Sequence, residues 1–267
     1  FLSKMENNKP LISIIINCFN GEKYLDEALL SVINQSYKNW EIIFWDNQST
    51  DLSANIFNKY KDKRLKYFYS NEHTSLYKAR NLAIEKSKGD YISFLDADDL
   101  WENNKLDLLM PYFSNPSVGV VFGNIWLLKK DMKKKKIHSS KSLPRGYIYD
   151  ELIKNYNLSI ISNIIKKSFY LKLEKKFDER LTFIGDFDLF LRLAKICKFE
   201  SIQKPVAYYR LHGKNLTTLN KEKEVEEFQL WLSENHRNLK NHQINDFQNK
   251  INYKKFVNFK IEGKYRE

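Results

Sequence analysis

Tyr91-Ile92-Ser93-Phe94-Leu95 is a short apolar run that breaks off into Asp96-Ala97-Asp98-Asp99, followed by Leu100 and Trp101. The run has the length and composition of a buried strand. Three carboxylates at its end repel one another, and leaving them unpaired is costly. Two readings follow. Asp is a frequent turn former, so the cluster can simply close a strand. Hard oxygen ligands also suit magnesium or manganese, so the same cluster can hold a divalent cation. Short acidic motifs are common by chance, and the stretch alone leaves both readings open.

The residues before it narrow the choice. Leu11–Asn17 (LISIIIN) is β-branched and apolar, as a central parallel strand requires. Gly21–Gln35 follows with Leu25, Ala28, Leu29 and Val32 on one helical face. Trp40–Trp45 reads as a second buried strand ending in Asp46, and a helix is expected after it with Ser49 or Thr50 as N-cap. Arg64–Tyr69 is a third strand, Ser75–Ser87 a helix carrying Arg80 and Asn81, and Gly89-Asp90 the turn into the acidic strand. Strand and helix thus alternate four times, which predicts an α/β fold with a parallel, doubly wound sheet. Ligands in such sheets bind at the carboxyl ends of the strands, where Asn17, Asp46 and Asp96 would share one crevice. Neither the dinucleotide fingerprint nor the P-loop pattern follows the first strand. A nucleotide would have to be held by carboxylates and a metal.

Composition bounds the rest. A 42% hydrophobic content over 267 residues supports a sizeable core and argues against global disorder. No apolar run approaches the roughly 20 residues of a membrane-spanning helix. The opening FLSKMENNKP is polar, so no signal peptide is expected. Cys18 and Cys197 lie in separate apolar segments and read as reduced packing residues, which points to a cytoplasmic location. The formal net charge of +12 favours anionic partners, although a Lys-, Asn- and Ile-rich composition can also reflect an AT-rich genome.

After Trp101 the texture changes. Val118–Leu128 is another apolar run, and Lys129–Lys141 is a lysine-dense loop or hairpin tip. Gly146–Asn155 and Lys166–Leu173 read as short helices. Gly185–Lys198 is an amphipathic helix with Leu189, Leu193 and Ile196 at core spacing and an Asp188–Arg192 surface pair. Asp186 falls in its first turn, where the helix dipole stabilises an anion. Ala207–His212 reads as a last strand, and the chain from about Lys221 is polar and helical.

Four pieces in order carry a resemblance: SIIINCFNGEKYLDEALLSVINQSYKNWEIIFWDNQSTD, KARNLAIEKSKGDYISFLDADDLW, FDERLTFIGDFDLFLRLAK and YYRLHGKNLT. From about Leu11 to Thr218 the chain resembles glycosyltransferase family 2, the inverting nucleotide-sugar transferases. The resemblance implies a GT-A fold: a Rossmann-like, doubly wound, mostly parallel sheet flanked by helices, here with a C-terminal helical extension. It divides the chain into a transferase domain at 1–219 and an extension at 220–267. Within the domain, 1–126 would be the nucleotide-sugar-binding half and 127–219 the acceptor-side half with the catalytic base.

The resemblance also implies roles. Asn17, Phe19 and Asn20 would line the nucleotide pocket, Asp46 would hydrogen-bond the base, and Arg80 would contact the nucleotide or its diphosphate. Asp96-Ala97-Asp98 matches the DXD motif. Asp96 would hold the ribose or a metal-bound water, and Asp98 would ligate Mn2+ or Mg2+, with His212 as a further metal or diphosphate contact. Asp186 matches the catalytic base, although Gly185 stands where the family has Glu. The implied reaction takes a UDP-sugar to a hydroxyl of a glycan or lipid-linked glycan acceptor in bacterial surface polysaccharide or lipopolysaccharide synthesis. Aromatics and lysines in the tail keep peripheral contact with the inner membrane surface open, and its helices offer an oligomer contact. Two rivals remain. A sugar-nucleotide nucleotidyltransferase would need a glycine-rich, basic N-terminal loop, which is not visible. A nucleic-acid-binding protein fits the charge, but the lysines are scattered and no binding motif appears, so no nucleic-acid partner is expected.

Overall fold

The computed structural model describes residues 9–129, 135–213, 215–216 and 220–261. The start of the chain, part of the lysine-dense tip and the end of the fourth resembling piece lie outside them. The alternating pattern holds over the first hundred residues. It gives β1 (Ile12–Cys18), α1 (Leu25–Ile33), β2 (Trp40–Asp46), α2 (Ser53–Asn58), β3 (Leu65–Tyr69), α3 (Leu76–Glu85) and β4 (Tyr91–Phe94). These four strands are parallel, in the order β3-β2-β1-β4. β1 and β2 are buried along nearly their whole length, which is why they read as continuous apolar runs rather than alternating ones.

The second half adds β5 (Leu100–Trp101), α4 (Lys105–Leu109), β6 (Val118–Leu128), β7 (Lys135–Ile137), α5 (Tyr149–Lys154), β8 (Asn163–Lys166), α6 (Lys167–Lys172), α7 (Gly185–Ala194) and β9 (Lys198–Arg210). Here the sheet is mixed. β8 runs antiparallel between β4 and β6, β9 is parallel to β6, and β5 is antiparallel to β9. β7 returns antiparallel to β6 from the lysine-dense segment, a hairpin arm. From β4 the hydrogen bonding continues through β8, β6 and β9 to β5 without a break.

Local details differ from expectation at three places. The helix after β2 starts at Ser53, with neither Ser49 nor Thr50 as its cap; Asp51 accepts from the Ser53 amide at 2.9 Å instead. Ile196 lies past the end of α7 and is 41% exposed, because the chain turns there into β9. The Asp188–Arg192 pair forms at 2.6 Å but is largely sheltered, since Asp188 also accepts from Trp231 Nε1. Both cysteines are free and buried.

The tail folds as α8 (Lys221–Asn235) and α9 (Asn241–Ile261). Neither they nor any other helix among the described residues is long and apolar enough to cross a membrane. They pack on α7 through an aromatic cluster in which Phe187 meets Phe228, Trp231 and Phe247 at ring separations of 5.3–5.5 Å. Glu227 of α8 adds a polar clasp. Its carboxylate accepts from the amides of Thr182, Phe183 and Ile184, the residues that lead into α7. Phe247 is fully buried in the cluster, so Phe247→Ala should cost about 3–5 kcal/mol by lost contact and cavity formation. Chemical denaturation of the purified protein measures this, and a loss well under 1 kcal/mol would mean that the tail is not packed this way.

Candidate active site

The carboxyl ends of β1, β2 and β4 lie at one edge of the sheet, and the loops that follow them meet there. The loops after β1 and β2 are tied together. The Asn20 amide donates to Ser49 Oγ at 3.0 Å, and the Thr50 amide donates to Asn20 Oδ1 at 2.8 Å. Asn20 and Gln48 hold left-handed backbone, φ +53° and +70°, which non-glycine residues adopt at a cost. Asn17, at the end of β1, has a buried Nδ2 donor with no partner among the described residues. An unpaired buried donor is costly, so this amide is suited to a polar ligand group. Phe19 projects at 54% exposure, its ring 4.4 Å from that of His73. Ala97 packs behind the loop near Gly21.

Asp46 does not join this surface. It is fully buried, one oxygen accepting from the Ser49 amide at 2.7 Å and the other from Tyr67 Oη at 2.6 Å. The strand-end position was legible, and here the carboxylate turns inward to close its own loop. Arg80 is 3% exposed. Its guanidinium pairs with Asp96 Oδ1 at 2.7 Å and is walled by the rings of Tyr77, Phe94 and Phe177. Its partner Asp96 is more open, with a side chain 32% exposed.

Asp98 Oδ2 lies 2.8 Å from His212 Nε2, and the imidazole stacks on Tyr24 at 5.2 Å. Burial, and then the neighbouring Asp96 charge, push the Asp98 carboxyl upward, against the pull of His212. Asp99, the third carboxylate of the cluster, is buried. It accepts from the Arg210 amide at 2.8 Å, while its second oxygen has no partner among the described residues. Burial and the two neighbouring aspartates push it well above the ordinary carboxylate range. Arg210 in turn donates from Nε to the Asp98 carbonyl and from Nη2 to Glu27, and Asn215 bridges the Arg210 carbonyl and the His212 amide. The end of β9 is thereby fastened to the acidic loop, and His212 meets Asp98.

Among the described residues no group of three or more His, Cys, Asp and Glu side chains surrounds a common point suited to a metal. The Asp98–His212 pair still fits a divalent cation in part. A carboxylate and an imidazole from two segments face each other beside excess negative charge, and water and a diphosphate could supply the other ligands.

Asp186, in the first turn of α7, is partly exposed. Its Oδ2 accepts from Tyr156 Oη at 3.1 Å, its Oδ1 from the Phe187 amide at 2.8 Å, and its own amide donates to Tyr77 Oη at 3.2 Å. Desolvation raises its pKa; Arg80 and Asp96, both within electrostatic reach, pull in opposite directions. Asp186 therefore lies on the same side of the sheet as Asp96, linked to it through Tyr77 and Arg80. Tyr77 had a sequence signal, since it precedes Arg80 by three residues on one helical face. Tyr156 and Glu227 belonged to no motif.

The family model described as "Glycosyl transferase family 2" matches residues 13–181, more than half of the chain. An uncharacterized glycosyltransferase of Haemophilus influenzae is 44% identical over 119 residues, 44% of this chain and 48% of that protein. The putative teichuronic acid biosynthesis glycosyltransferase TuaG of Bacillus subtilis is 33% identical over 167 residues, 61% of this chain and 65% of TuaG. The chain thus spans about half of the first and just under two thirds of the second. The UDP-Glc:alpha-D-GlcNAc-diphosphoundecaprenol beta-1,3-glucosyltransferase WfaP of Escherichia coli is 30% identical over 216 residues, 80% of this chain and 82% of WfaP. In fold the chain is similar to S. aureus TarS 1-349 in complex with UDP-GlcNAc, with a TM-score of 0.71 at 19% identity over 89% of this chain and 71% of that one. It is also similar to the mannosyltransferase PcManGT of Pyrobaculum calidifontis in complex with GDP-Man and Mn2+, with a TM-score of 0.65 at 16% identity over 85% and 66%. Sequence kinship and sheet architecture point the same way: the chain belongs to glycosyltransferase family 2.

Proposed function

We propose that this protein transfers a sugar from a UDP-sugar to a hydroxyl of a glycan acceptor, with inversion at the anomeric carbon and Asp186 as the base. One observation carries the reading: Asp186 and Asp96, ninety residues apart in sequence, meet around a shared hub of Tyr77 and Arg80. The name of WfaP, which pairs a UDP-sugar with a lipid-linked acceptor, supports a donor and acceptor of those classes in surface polysaccharide synthesis. An acceptor of that kind implies work at the cytoplasmic face of the membrane. The division into a transferase domain at 1–219 and an extension at 220–267 is part of the same proposal.

In this mechanism the acceptor oxygen attacks the anomeric carbon while the bond from that carbon to the diphosphate oxygen breaks. The hydroxyl proton passes to Asp186, and UDP leaves with the bonding pair. Asn17, Phe19 and Asn20 line the donor end, Asp96 orients the donor with Arg80 behind it, and Ala97 leaves the loop room. A divalent cation held by Asp98 and His212 would neutralise charge growing on the leaving diphosphate. A raised carboxyl pKa suits a general base, because stronger basicity aids proton removal as long as the group stays ionised at working pH.

Asp186→Asn should leave UDP-sugar binding by calorimetry nearly unchanged and reduce turnover by roughly 10²–10⁴-fold, the usual worth of a positioned base. Full turnover in that variant would remove Asp186 from the chemistry. Protonation disables the base, so the rate should fall as pH drops through the raised Asp186 pKa, with a midpoint above the ordinary carboxylate range. A rate still flat at pH values where free carboxylates protonate would contradict this. Excess EDTA should abolish activity and added Mn2+ restore it, and His212→Ala should raise the Mn2+ concentration needed. Undiminished turnover in EDTA would rule the metal out.

A further inference from the structure

Gly185 has a neighbour that explains it. A Cβ built there would lie 2.5–2.6 Å from three ring carbons of Tyr77, closer than real Cβ contacts come. The Tyr77 ring is therefore seated on the bare backbone of Gly185, and its hydroxyl accepts from the next amide, that of Asp186, at 3.2 Å. The same hydroxyl lies 3.5 Å from Asp186 Oδ1. From the opposite side Tyr156, in the segment after α5, donates to Asp186 Oδ2 at 3.1 Å. Both rings are themselves fixed: Tyr77 stacks on Phe177 at 5.2 Å, and Tyr156 meets Phe187 edge-on at 5.3 Å.

We propose that Tyr77 and Tyr156 are positioning residues for the carboxylate of Asp186, two phenols clamping it from separate segments, with Gly185 leaving the space that Tyr77 needs. The inference rests on the reading of Asp186 as the base. Burial pushes both phenols well above their usual pKa, so they stay protonated and act as fixed donors. A donor to a carboxylate favours its ionised form, which opposes the desolvation that raises it. The clamp thus works against the desolvation of the base and fixes which lone pair faces the acceptor. Arg80 lies three residues beyond Tyr77 on α3, its guanidinium 5.4 Å from the Tyr77 ring, and it holds Asp96. One helix therefore sets the spacing between the donor side and the base. The other charged groups around the carboxylate are Arg80 and Asp96, with Glu227 of α8 facing Tyr77 and Asp188 on α7 itself.

The test uses Tyr77→Phe, Tyr156→Phe and Gly185→Ala in the full chain, with UDP-sugar affinity, kcat and the pH–rate profile measured for each. The phenylalanine variants keep each ring and remove its hydroxyl, and the alanine drives the Tyr77 ring away. Donor affinity is expected to stay within about twofold, while kcat near neutral pH falls about tenfold from misorientation of the base. In Tyr156→Phe the acid limb should move up by about one pH unit, the worth of one hydrogen bond to a charged group, so the deficit narrows as pH rises. A uniform loss at every pH with an unmoved limb, or no loss at all, would overturn the clamp. Asp186→Asn in the same assay separates the two claims. If it retains turnover, the base reading fails. If it loses turnover while the tyrosine variants keep the parental limb, only the clamp fails. Tyr77→Phe and Tyr156→Phe reach one carboxylate by independent routes, so misfolding of one leaves the other to decide.

Discussion

The ion pair between Arg80 and Asp96 is the constraint on which the acidic end of the sheet depends. Asp96, Asp98 and Asp99 stand within four residues of one another, with Asp186 facing them. Like charges so close raise each other's pKa and would drive protons on or the loop apart. Arg80 is permanently charged and walled by aromatic rings, and it sets a fixed positive charge 2.7 Å from Asp96. Removing one side of a pair like this costs more than the pair itself contributes, because a buried guanidinium left alone has no water to turn to. The remaining charge is divided between His212, facing Asp98, and the Arg210 amide, on Asp99. Each counter-group comes from a distant part of the chain. The site therefore exists only when β4, α3 and β9 are all in place.

How far the sequence revealed this arrangement varied with the kind of signal. Buried parallel strands betray themselves as β-branched runs, so β1 and β2 were legible almost to the residue, and β6 showed as an apolar run with the right bounds. The acidic cluster was legible because carboxylates concentrate where a strand stops. What a carboxylate faces was not. Asp46 and Asp96 both end strands, yet one turns inward to Ser49 and Tyr67 and the other outward over Arg80. That choice is made by neighbours from β3 and α3, and no local pattern encodes it. The antiparallel insertion of β8 between β4 and β6 was hidden for the same reason, since four residues, NIIK, carry no information about their partners.

Gly185 shows how a departure from a family pattern can be physically coherent. Read alone, a glycine beside the proposed base looks like a loss. In the fold it is one half of a contact whose other half, Tyr77, lies on α3 in the other half of the chain. The ring fills the space, and its hydroxyl reaches the backbone of the next residue. A side chain at Gly185 would displace the ring, so the glycine has to be read together with Tyr77.

The extension bears on the same point from the other side. The family match stops at residue 181, just short of α7. The amides of residues 182–184 would otherwise be unpaired donors at a helix start, and all three end on the Glu227 carboxylate. An anion at that place also suits the helix dipole. Phe187, next to Asp186, is simultaneously packed among Phe228, Trp231 and Phe247. A helix held by both its entry amides and its buried face has little freedom to rotate. The orientation of Asp186 is thus fixed by residues more than forty positions downstream, and the tail belongs to the site as much as to the surface it covers.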